Sequence, residues 1–247
     1  GAISNCKNKG NLINNGVCTS ELHMGGFIGY MQDASSDVSG FTNYGSITNN
    51  MEISSWCCLG GVVGLIKNLK ETANTISYCE NRGNIESKYA KNRVSIGGAV
   101  GFIDNSNTSV SNFKNYGKVI ISGNAGSGVT LGGTVGRIQA VKATGDNTIS
   151  YCENNGEIVF SGKSVNDQSM SSGIGGILGL HAGAVNKVTS GSTSTYYHFK
   201  SVVTISNCSN TAKVEKTGAI SNGYHIGGVI GSINSNPQAA ADYPEAK

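Results

Sequence analysis

The chain has 247 residues, 38% of them hydrophobic, with 36 glycines, 2 prolines and a net charge of +3. Charged residues are only 13%, about half the usual share, which excludes the low-hydrophobicity, high-charge composition of disordered chains. So small a positive balance gives no argument for a nucleic-acid partner, and no run approaches the ~18 apolar residues of a spanning helix, so no membrane insertion is expected.

Read in chain order, one ten-residue phrase recurs six times. It is ISNCKNKGNL from Ile3, VSGFTNYGSI from Val38, ISYCENRGNI from Ile76, VSNFKNYGKV from Val110, ISYCENNGEI from Ile149 and ISNCSNTAKV from Ile205. A second phrase follows each copy: GGFIG at Gly25, GGVVG at Gly60, GGAVG at Gly97, GGTVG at Gly132, GGILG at Gly175 and GGVIG at Gly227. The offset between the phrases is 22, 22, 21, 22, 26 and 22 residues. Units of such constant internal spacing are a repeat architecture, in which each unit buries its apolar face only by stacking on its neighbours. The period is 34 to 39 residues, except that the fifth unit is 56 long.

Helix signals are nearly absent, and Ile, Val, Thr and Tyr between Gly, Asn and Ser clusters predict many short strands. In the second phrase, the residue before Gly-Gly and the residue three after the first Gly are apolar in every unit, as at Leu59 and Val63. They share parity, so within one strand they face one side. The fourth position of the first phrase holds Cys6, Phe41, Cys79, Phe113, Cys152 and Cys208, which reads as a core slot because free Cys behaves as a small hydrophobe. The sixth position is Asn throughout: Asn8, Asn43, Asn81, Asn115, Asn154 and Asn210. That repetition predicts a stacked amide ladder, the alternative being six separate turn residues. The fold expected is all-β, a parallel β-solenoid (β-helix) over residues 1–235 with a tail at 236–247. Each unit makes one coil with loops or two short coils. A six-bladed β-propeller has a comparable repeat length and is the alternative.

The alternating phrases resemble the GLUG-motif repeats of bacterial surface and secreted proteins, also found in IgA-specific metalloproteases. The resemblance covers roughly residues 3 to 235. It implies an extracellular, cell-surface location and an adhesive or structural role, and it implies no catalytic residues. The chain starts within a repeat and reads as part of a longer protein.

Candidate chemistry is sparse. Seven cysteines is an odd number; four occupy the core slot, and Cys18, Cys57 and Cys58 remain for a disulfide. His23 and Cys58 share a slot next to Cys18 and Cys57, but the spacing matches no familiar zinc pattern, and no metal or cofactor is expected. Glu80 and Glu153 share another slot two layers apart, about 9.6 Å, near the upper limit for an inverting glycosidase pair. Lys114 lies between them, so the row reads as a solvated surface and the protein as no enzyme. Tyr30 and Arg137, just after the second phrase, read as surface residues. The fifth unit carries an insertion with Tyr196, Tyr197, His198 and Phe199 in a Ser/Thr-rich setting. Insertions in repeats map to loops on a binding face, and these aromatics are the candidate contact for a glycan or surface protein. Otherwise they form a hairpin packed on the solenoid wall.

Overall fold

The computed structural model describes residues 1–68, 72–90, 92–104, 107–126, 128–140, 145–163, 172–190, 193–199, 201–219 and 224–234. The described residues contain strands and no α-helix, so none is long and apolar enough to cross a membrane as a helix. The fold is a parallel β-solenoid of five sheets, each with one strand from each of the six units. The propeller alternative is thereby excluded, because equivalent residues of successive units pair directly. Ile3 pairs with Val38, Val38 with Ile76, Ile76 with Val110, Val110 with Ile149 and Ile149 with Ile205. This is why one phrase is written six times: every copy must match the layer above and below.

One unit makes one coil. In the second, the strands are Ser36–Ser39, Thr42–Asn43, Ile47–Asn49, Trp56–Gly60 and Val63–Lys67, one for each of the first to fifth sheets. Two interior clusters run along the axis. One joins the first and fifth sheets to the Cys/Phe slot, burying Val38, Ile76, Val63, Ile66, Phe113 and Cys152. The other lies between the third and fourth sheets and buries Ile47, Ile85, Leu59, Ile96, Leu131 and Phe160.

What separates the clusters is the Gly-Gly phrase. It is not one strand but two, folded back on each other, which corrects the parity reading. Leu59 belongs to one cluster and Val63 to the other. The glycines permit the fold-back. A Cβ on Gly60 would strike the Val63 carbonyl, and one on Gly101 would stand 2.7 Å from the Leu59 carbonyl oxygen of the preceding coil. Real Cβ atoms do not approach backbone so closely, so these places take glycine for lack of space.

The tip of the fold-back meets the row of asparagines, five of the six having a glycine opposite them. Asn8 Nδ2 donates to Asn43 Oδ1 at 2.8 Å, Asn43 to Asn81 at 2.8 Å, Asn81 to Asn115 at 2.8 Å, Asn115 to Asn154 at 2.7 Å and Asn154 to Asn210 at 2.7 Å. The second N–H of each amide is not idle either. It reaches the carbonyl two residues on in its own turn: Gly10, Gly45, Gly83, Gly117, Gly156 and Ala212. In the four fully buried amides, Asn43, Asn81, Asn115 and Asn154, both donors and the acceptor are thus used, as complete burial requires. Opposite each amide from Asn43 to Asn210 sits the second glycine of the preceding coil's Gly-Gly. A Cβ on Gly61 would come within 2.7 Å of Asn81, and one on Gly98 within 2.8 Å of Asn115. The fixed spacing between the two phrases therefore has a physical cause: Asn and Gly-Gly must meet across the interior.

Candidate functional site

Two depressions on the outside of the solenoid are candidate sites. The first is a furrow between the fourth and fifth sheets, where the fold-back opens outward. Here Trp56 stacks on Phe102 with centroids 4.8 Å apart, over the buried Cys58 and Leu65. The Arg93 guanidinium lies 4.5 Å from the Trp56 ring centroid. Arg137 lies 5.3 Å from that of Trp56 and 5.7 Å from that of Phe102. Arg137 is only 5% exposed, so the reading of it as a surface residue is corrected. A buried guanidinium is tolerable because the two ring faces and Gln139 hold it, with Nε and Nη2 donating to Gln139 Oε1 at 3.0 and 2.6 Å. Tyr30, in the same slot, is exposed as expected and tilts against His23. The space left in the furrow is about 240 Å³, below the roughly 300–1,000 Å³ of ligand pockets. Its own side chains already fill it, and it reads as a packed seam.

The second depression is an open trough of about 620 Å³ at the corner between the first and second sheets. It runs over the third to sixth coils and is lined by Tyr78 and Tyr151, with Glu80, Asn112, Lys114, Glu153, Asn207 and Ser209. The corner turns through one left-handed residue per coil. The φ angles are 57° at Asn5, 65° at Gly40, 53° at Tyr78, 51° at Asn112, 54° at Tyr151 and 52° at Asn207. Gly and Asn adopt this conformation at little cost, whereas a bulky side chain does not. Yet two of the six corner residues are tyrosines, with 68% and 58% of their surface exposed. They gain little by burial there, so the cost is not repaid by the fold.

The acids of this face do not converge. Glu80, Lys114 and Glu153 pair in register along the second sheet. Glu80 is bound by Arg82 at 2.8 Å, and Glu153 by Lys114 at 3.3 Å. Arg82 in turn lies 4.9 Å from the Tyr116 ring centroid. Each carboxylate already has a cationic partner, which suits a surface row and not an acid–base pair.

The cysteines offer no nucleophile in either depression. All seven are free, so no Cys18 disulfide forms. Cys57 and Cys58 point to different clusters, and burial pushes the Cys57 thiol up to about 12 and the Cys58 thiol well up. Cys208, in the last coil and in the lining of neither depression, is shifted down instead by the neighbouring Cys152 thiol. Among the described residues, no three of His, Cys, Asp and Glu are grouped to hold a metal.

The insertion of the fifth unit is a hairpin growing out of the fifth sheet. Strand Leu178–Ser190 pairs antiparallel with Thr193–Phe199, setting Lys187 opposite Tyr196, Asn186 opposite Tyr197, Val185 opposite His198 and Ala184 opposite Phe199. The side chains of these four aromatic candidates lie outside the described residues, as do residues 164–171 and the tail from 235. Sequence reasoning passed over Tyr78 and Tyr151. Their signal was present: the third position of the first phrase runs Asn, Gly, Tyr, Asn, Tyr, Asn, a left-handed slot with two exceptions. With this geometry in hand, comparison with known proteins finds no matching family model, curated protein or solved structure.

Proposed function

We propose that the chain is a non-enzymatic structural and adhesive module of a bacterial cell-surface protein, acting outside the cell, as the resemblance to GLUG-motif repeats implies. The observation that carries the reading is the unbroken amide ladder from Asn8 to Asn210. Coils tied to each other at their interior present their outer side chains as a fixed array. A ligand that meets such an array has little ordering cost to overcome on the protein side. The compensated charges of Glu80 and Glu153 support binding without turnover.

A carbohydrate-binding role is the second reading, favoured by the exposed tyrosines at the corner and by the aromatic strand Tyr196, Tyr197, His198 and Phe199 of the hairpin. The test is to incubate the chain with immobilised glycans and host-matrix proteins, measuring both retention and released fragments. Retention without fragments is expected. Fragment release abolished by Glu80→Gln or Glu153→Gln would make the protein a polysaccharide-active enzyme instead. A Tyr196→Ala, Tyr197→Ala variant reports whether the hairpin contributes to retention.

A further inference from the structure

The trough at the corner has features that scaffolding alone leaves unexplained. Six coils provide an internal control. Four of them place Asn or Gly at the left-handed corner, which is what the backbone there calls for. Two place Tyr, and both rings stand in solvent. Strained positions of this kind cluster where a side chain is held for a ligand.

The placement of the two rings is informative. Tyr78 and Tyr151 are two coils apart, about 9.6 Å along the axis. The coil between them puts Asn112 at the corner, so the rings flank a recess instead of continuing as a ring stack. Between the rings the floor carries the hydrogen-bonding groups of Asn112 and Lys114, with the carboxylates of Glu80 and Glu153 at its two ends, and Asn207 and Ser209 continue the polar lining one coil beyond Tyr151. Two acids are matched there by the cations of Arg82 and Lys114, so the floor has no net charge to draw an ion. Flat apolar faces at a fixed separation, over a polar and electrically balanced floor, suit a ligand with apolar ring faces and many hydroxyls.

We infer that the Tyr78–Tyr151 trough binds a neutral, linear polysaccharide lying along the solenoid axis, one pyranose ring on each tyrosine and the intervening hydroxyls on the floor. The inference rests on the adhesive reading above and gives it a site and a ligand class. Tyr44 and Tyr116, on the neighbouring row, sandwich Arg82 with centroids at 6.0 and 4.9 Å, and they extend the aromatic face beside the trough.

The same internal control designs the experiment. Asn occupies the equivalent corner in other coils, so Tyr78→Asn and Tyr151→Asn remove the rings while suiting the backbone. The full chain, both single variants, the double variant and the Tyr196→Ala, Tyr197→Ala hairpin variant are titrated calorimetrically with cello-, xylo- and manno-oligosaccharides of two to six residues. Each single corner variant is expected to weaken binding on the order of tenfold, and the double variant on the order of a hundredfold, with no loss of thermal stability. The hairpin variant is expected to bind as the parent does. Equal binding by the parent and the corner variants would overturn the site while leaving adhesion standing. A parent that retains matrix proteins but no neutral oligosaccharide would overturn the ligand class. A parent that binds neither would overturn the adhesive reading as well.

Discussion

Two slots of the same phrase, three residues apart, behave oppositely. The sixth position is Asn in all six coils, and in the four inner ones, Asn43, Asn81, Asn115 and Asn154, it is buried at the seam with both of its N–H groups and its oxygen engaged. The third position turns the outer corner and varies between Asn, Gly and Tyr although the backbone is left-handed in every coil. Inside, the geometry dictates the residue, because an amide is the one side chain that both donates to the next coil and closes its own turn. Outside, geometry expresses a preference that Tyr78 and Tyr151 override. Uniformity along a solenoid marks what the fold needs, and departure from a backbone preference marks what the surface is for.

The comparison is broken most severely at the seam. Asn115→Ala deletes two donated bonds and leaves the Asn81 donor and the Asn154 acceptor buried without partners. A loss of about 3–5 kcal/mol is expected in denaturant titration, against about 1 kcal/mol for Asn8→Ala in the exposed first coil. The glycines facing the ladder give the next effect. Gly98→Ala drives a methyl into the Gly133 carbonyl and Asn115, whereas a Cβ on Gly228 meets nothing within 4 Å. The first should cost about 3 kcal/mol and the second stay within about 0.5 kcal/mol. Equal costs would mean that backbone freedom, not the meeting with Asn, fixes the second glycine. The smallest effect has the opposite sign. Tyr78→Asn at the corner should raise stability by about 0.5–1 kcal/mol, read as a higher melting midpoint.

The sequence made much of the fold legible because a parallel stack repeats its constraints. Cys/Phe, Asn and Gly-Gly recur at fixed spacing since each contacts its own equivalent one coil away. Features confined to one or two coils left no such trace. A second, short amide ladder runs from Asn14 to Asn49 at 2.9 Å and ends at Ser87, and the same slot then becomes Ile121 and Phe160. The fold-back at Gly-Gly was hidden because alternation in a strand and reversal at a tip both leave an apolar residue on either side. The furrow was hidden for a related reason. Trp56, Phe102 and Arg137 come from three different coils, and only the stacking register brings the buried guanidinium onto the two rings. The corner tyrosines could have been found from the sequence, had the third position been examined for residues unsuited to the left-handed region that its Asn and Gly neighbours suggest.

The central claim is that hydrogen-bonded asparagine amides tie the coils together from within. Side-chain amide hydrogen exchange, followed by NMR on protein labelled at asparagine, tests it most directly. Asn43, Asn81, Asn115 and Asn154 should show both Nδ2 protons protected to the level of the core strand amides. Exchange of these protons at the rate of a solvent-exposed asparagine would contradict the ladder, and with it the rigid array on which the functional reading stands.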